Sequence, residues 1–200
     1  MKRIVLSSFA LLLLSAASYA QPLTATEKEK AVKYFQQTRD GVVASVKGLS
    51  DAQMKFKPAP ERWSVAETLE HIAMAEDYLF QNIAMNVMKA PAPPAGRDNA
   101  RIDAMVLAIL PDRSRKAEAP APIQPKARWT PAETLDHFLH SREKTLQFVE
   151  STPDLRAHAS DSPIGQPLDA YQWLLFLAGH SERHTKQILE VKADPNFPKQ

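Results

Sequence analysis

RWSVAETLEHIAMAEDYLFQNIAMNV, residues 62–87, reads as a single amphipathic helix with its start written into it. Ser64 and Glu67 form an S-x-x-E capping box, in which each side chain satisfies a backbone N–H of the first turn. Val65, Leu69, Ile72, Leu79, Ile83 and Val87 then fall within one sector of the helical wheel. Pro91, Pro93 and Pro94 end the run.

Further along, RWTPAETLDH (128–137) repeats the opening RWSVAETLEH (62–71) almost word for word. Thr130, Pro131 and Glu133 supply an N-cap, a preset φ for the first turn and the box partner. Shared capping chemistry explains the likeness, with a distant internal duplication as the alternative. Leu135, Leu139, Leu146 and Val149 form the expected inward stripe of this helix, which Pro153 closes.

Upstream, a helix is expected from Thr26 to Lys47, with Ala31, Phe35, Val42, Val46 and Leu49 on its apolar side and Gly48 as its stop. Downstream, another spans Leu168 to Lys192, stopped by Pro195. Between the two capped helices lies a long connection, Ala90 to Arg128. It carries a short helix around Ala100 to Leu110 and a strap through Pro111, Pro120, Pro122 and Pro125. A connection of that length frees the second and third main helices from the antiparallel arrangement that a tight turn would impose. No period-two pattern competes, so the fold class is all-α.

Residues 1–20 stand apart from this pattern. Lys2 and Arg3, the apolar run Ile4 to Leu14 and the small residues ending at Ser18-Tyr19-Ala20 have the layout of a signal peptide cleaved before Gln21. The apolar run is shorter than the roughly 20 residues of a bilayer-spanning helix, which counts against an uncleaved anchor. The expected mature domain is therefore 21–200, periplasmic or secreted and without a membrane span. The chain has 25 Lys and Arg against 23 Asp and Glu, and Lys2 and Arg3 account for the whole excess. A balanced mature surface lacks the basic footprint of a nucleic-acid or anionic-lipid binder. The sequence has no cysteine, which removes thiolate nucleophiles, thiolate zinc sites and redox chemistry; any metal site must use His, Asp or Glu.

The last helix carries the chemistry. With Trp173 as zero and about 100° per residue, Phe176, Leu177, His180, His184, Gln187 and Val191 share one side. His180 and His184 thus lie one turn apart on the core-facing stripe, where two imidazoles can reach one ion. Core histidines hydrogen-bonded to neighbouring helices would show the same spacing. In HSERH (180–184) Glu182 faces away from that stripe, so the H-E-x-x-H protease geometry fails. A third ligand must come from another helix. His71 borders the apolar stripe of its own helix and is favoured over His137 and His140, for which ordinary exposure suffices, and over His158 in a loop.

WSVAETLEHI (63–72), followed far downstream by HSERHTKQI (180–188), resembles the DinB superfamily, and GLSDAQ (48–53) and the long crossover extend the likeness over nearly the whole mature chain. The resemblance implies an up-down-down-up four-helix bundle with a three-histidine metal site at His71, His180 and His184. Near it, Glu67 is a candidate for orienting a ligand or acting as base, although its capping role explains it better. Gln187 could hydrogen-bond a ligand, and Tyr78 could line the cavity or pack inside. Gly179 suggests a close helix approach, because glycine inside a helix costs about 1 kcal/mol relative to alanine.

Three neutral histidines leave a coordination position open for water or substrate, with zinc the expected ion and nickel, iron or copper also suited to imidazole. The expected function is that of a metal-dependent hydrolase or transferase acting on a small molecule. A non-catalytic metal-binding module of the envelope, or a metal-free association bundle, is the alternative. Some DinB-like proteins resemble transferases of low-molecular-weight thiols, but export argues against that chemistry here. A homodimer would be unsurprising for a helical bundle, although the sequence does not specify the oligomeric state.

Overall fold

The computed structural model describes residues 22–199. The signal-peptide expectation for residues 1–20 lies outside that range. Among the described residues, no helix is long and apolar enough to cross a membrane.

Six helices follow in order: α1 (Ala25–Val46), α2 (Asp51–Lys55), α3 (Val65–Met85), α4 (Asn99–Ile109), α5 (Pro131–Ser151) and α6 (Ala170–Lys192). Short 3-10 turns occupy Val87–Lys89 and Ala121–Ile123. The long helices match the expected segments to within two residues. The short α2, which begins within the GLSDAQ phrase, was not expected. The start of the expected fourth helix is also corrected: Leu168–Asp169 form β2, which pairs antiparallel with β1 (Ala159–Ser160) before α6 begins.

Capping explains how these helices begin. Reciprocal boxes join Thr24 to Glu27, Ser50 to Gln53, Ser64 to Glu67, Thr130 to Glu133 and Asp169 to Gln172. The repeated opening at 62–71 and 128–137 is thus one use of a device found throughout the chain, as the capping explanation requires.

Side-chain pairs fix the helix directions. Asp77 meets His137 and Ser141 while Phe80 meets Phe148, so α3 and α5 run parallel. Tyr171 reaches Glu27 and Lys192 reaches Ser45, so α1 and α6 are parallel as well. Lys28 meets Glu150 while Arg142 meets Thr38, which sets α1 antiparallel to α5. The bundle is up-down-down-up, and the crossover from α3 through α4 to α5 makes this order feasible.

Two apolar clusters fill the bundle. One gathers Phe35, Leu79, Ile83, Leu146, Leu174 and Leu177; the other gathers Val42, Leu69, Ile72, Phe138, Ile188 and Val191. Between them in the register of each helix lie Thr38, Glu76, Arg142 and Ser181. The Arg142 guanidinium, fully buried, donates to both Glu76 oxygens (2.9 and 2.7 Å), to Thr38 (2.8 Å) and to Ser181 (2.8 Å). This polar layer corrects the expected stripe of α5. Leu135 and Leu139 are only half-buried, whereas Thr134, Phe138, Ser141, Arg142 and Thr145 face inward. Buried polar groups are tolerated there because each has a partner.

Candidate metal centre

α3 and α6 cross where their inward faces carry imidazoles. His71 comes from the second turn of α3, and His180 and His184 from the middle of α6. His71 Nε2 lies 3.2 Å from His180 Nε2 and 3.1 Å from His184 Nε2, and one ring nitrogen from each residue falls within 4.8 Å of the others. Trp63, just before the α3 cap, covers the cluster, its ring 4.8 Å from that of His71 and 6.4 Å from that of His184.

The outer nitrogens decide what the inner ones can do. His71 Nδ1–H donates to the Ile123 carbonyl at 2.7 Å, because a carbonyl can only accept. Gln187 Oε1 accepts from Arg113 Nη1 at 3.2 Å, which turns the amide oxygen toward the guanidinium; that oxygen then accepts His184 Nδ1–H at 2.9 Å. Both rings therefore carry their proton on Nδ1, and their Nε2 lone pairs face each other across 3.1 Å. That contact is not a hydrogen bond. Two such lone pairs repel unless a cation sits between them. His180 Nδ1 is buried without a hydrogen-bond partner among the described residues, so its ring is held by packing and by the inner cluster.

Protonation is a poor way to supply that cation. Burial, only partly opposed by the hydrogen bond to Ile123, pushes His71 down to about 4. His180 and His184 are driven well below the ordinary imidazole range, by burial first and then by the neighbouring histidines and arginines. Neutral imidazole is the ligating form. Nitrogens bound at 2.0–2.1 Å in a tetrahedron stand roughly 3.3 Å apart, close to the spacing here. The residues fit a metal ion.

The other candidates separate clearly. Glu67 is committed to its capping box with Ser64 and to Lys57 at 3.0 Å; it makes no hydrogen bond to the three rings. Gln187 touches His184, as its spacing allowed. Tyr78 is corrected: it is 44% exposed and does not pack inside, while Glu76 and Leu79 of the same turn take the buried positions. His140 is exposed as expected. His137 is not simply exposed, since it stacks on Trp129 and bonds Asp77 at 2.6 Å, away from the cluster. His158 bonds the Ala90 carbonyl in its loop. Glu182 accepts from the Tyr34 hydroxyl at 2.8 Å, on the α1 side of its helix, so the protease geometry is absent. Gly179 does mark a close approach: a Cβ there would lie 2.8 Å from Leu110 Cβ.

Sequence reasoning missed Trp63, Ile123 and Arg113. Trp63 sat in plain view in the opening phrase. The other two lie in the crossover, whose irregular path no periodicity encodes. An open cleft of about 530 Å³ between α2 and the end of the crossover, lined by Asp51, Lys55, Arg128, Trp129 and Glu133 among others, contains none of the three histidines.

An up-down-down-up bundle with convergent imidazoles on α3 and α6 defines a narrow class of helical protein. Across residues 34–188 the sequence matches the family model of that class, and the chain belongs to the DinB superfamily. It is 26% identical over 160 residues to the uncharacterized protein YuaE of Bacillus subtilis (strain 168), covering 79% of this chain and 94% of that one. Its fold is similar to that of YfiT from Bacillus subtilis, described as "a probable metal-dependent hydrolase with an unusual four-helix bundle topology" (TM-score 0.55, 13% identity, 88% of this chain and 91% of that one).

Proposed function

We propose that this protein is an exported metal-dependent hydrolase of a small molecule, with His71, His180 and His184 holding one divalent ion, zinc being the first choice. The observation that carries the proposal is the pair of Nε2 lone pairs, on His71 and His184, that converge at 3.1 Å beside a third imidazole. When bound, such an ion supplies Lewis acidity and brings the pKa of a water toward neutral. The chain's own groups do the rest. Ile123 and Gln187 fix the two tautomers, Arg113 and its bidentate partner Glu190 (2.6 and 2.8 Å) hold Gln187 in place, and Trp63 shields one side from solvent. Among the described residues no carboxylate hydrogen-bonds to the three rings, so a Glu base of the protease kind is not part of this design. The description of YfiT as a probable metal-dependent hydrolase supports hydrolysis over group transfer, and so does the export signal expected at residues 1–20.

Elemental analysis of untagged protein tests the first part. About one equivalent of a divalent metal is expected, and His180→Ala should lose it; stoichiometric metal in that variant would refute the ligand set. Screening esters, amides and thiol adducts with and without a chelator tests the second part. Chelator-sensitive turnover of an ester or amide is the expected result, and a metal-loaded protein inert to every class would be a binding module instead.

A further inference from the structure

Glu70, the neighbour of His71, is 3% exposed, and no salt bridge reaches it among the described residues. Its carboxylate accepts instead from the backbone of three successive residues of the crossover. Lys126 N lies 3.2 Å from each oxygen, Ala127 N 2.8 Å from Oε2 and Arg128 N 2.9 Å from Oε1. Turning three amides toward one anion needs an unusual backbone path, and Ala127 adopts φ +53°, a left-handed conformation that a residue with a Cβ takes only under constraint. Three residues upstream of Lys126, the buried Ile123 offers its carbonyl to His71 Nδ1–H. The same stretch of crossover thus binds two adjacent residues of α3, one an anion and the other a proposed ligand.

We propose that Glu70 is a positioning residue for the metal centre: by gathering the amides of 126–128 it sets the crossover so that Ile123 holds the His71 ring with Nε2 turned toward His180 and His184. This role rests on the metal reading above. A purely structural anchor would alter stability without altering the His71 proton or the affinity for metal, and that difference makes the role testable.

Two variants of the full chain break the arrangement from opposite sides. Glu70→Gln replaces one acceptor oxygen with a donor facing the amides. Ala127→Pro, at an exposed position, removes one of the amides that bind Glu70 and cannot adopt φ +53°. Zn²⁺ affinity, measured by chelator competition, should weaken about 10–100-fold in both, the usual effect of losing an outer partner of a ligating histidine. In metal-free protein, ¹⁵N–¹H correlation spectra should show the His71 Nδ1–H signal of the wild type exchanging or lost in the variants. Wild-type Zn²⁺ affinity and an intact Nδ1–H signal, alongside faster amide exchange at 126 and 128, would overturn the proposal. Should Glu70→Gln fail to fold, Ala127→Pro decides by the same two measurements. Should the wild type itself bind no Zn²⁺, the metal reading fails, and the His71 proton alone then confirms or overturns the positioning role.

Discussion

Because His71 titrates at about 4 in the folded chain and near 6.5 when exposed, the unfolded chain binds a proton between those values that the folded chain refuses. The metal-free fold therefore has its full stability from this residue above about pH 6.5, and loses it as pH falls toward 4. The shift corresponds to roughly 3 kcal/mol for His71 alone. Thermal unfolding of chelator-treated protein should be flat above pH 7 and fall steeply below 6.5, with a shallower fall in His71→Gln; equal slopes would exclude this residue as the cause. His71, His180 and His184 were legible because wheel position and spacing bear directly on convergence. Their partners were not: Ile123 contributes a backbone carbonyl, which has no sequence signature, and Arg113 and Glu70 act through a segment without periodicity. Tyr78 misled because it shares the wheel face of His71, but the crossover at Ile123 covers that face at His71 and leaves Tyr78 44% exposed two turns on.

Helices announced themselves by their caps and stops, which is why their ends were read to within two residues. α2 escaped because five residues are too few to show a period, although Ser50 and Gln53 make the same box as the longer helices. The stripe of α5 was misplaced for a different reason: its inward positions carry Thr134, Ser141, Arg142 and Thr145, and a search for apolar residues cannot see a polar interior face. The contact of α4 with α6 at Gly179 gives a test at this scale. Alanine there would gain about 1 kcal/mol of helix propensity, but its Cβ would meet Leu110 Cβ, close to backbone and unable to swing away. Overpacking of this kind typically costs about 1–3 kcal/mol, so Gly179→Ala should lower the melting temperature by differential scanning calorimetry. A rise would mean that α4 yields without cost.

Across the whole molecule, the layer built on Arg142 and Glu76 divides the core and joins all four long helices at one level. Removing one partner leaves an uncompensated buried charge, and Arg142→Ala should cost about 3–5 kcal/mol in denaturant unfolding. The double variant Arg142→Met with Glu76→Leu should recover much of that loss, and failure to recover would show that the layer acts through more than charge pairing. The up-down-down-up order was legible only as far as the long crossover permitted it, since direction depends on which residues meet across helices. That same order has a chemical consequence. His71 and His180 stand 109 positions apart, in a sequence with no cysteine. An ion gripping both would tie off more than half the polypeptide, restricting the denatured ensemble much as a covalent cross-link does. Such a rivet would ignore reductants and oxidants, and would come undone in acid or with a sequestering agent.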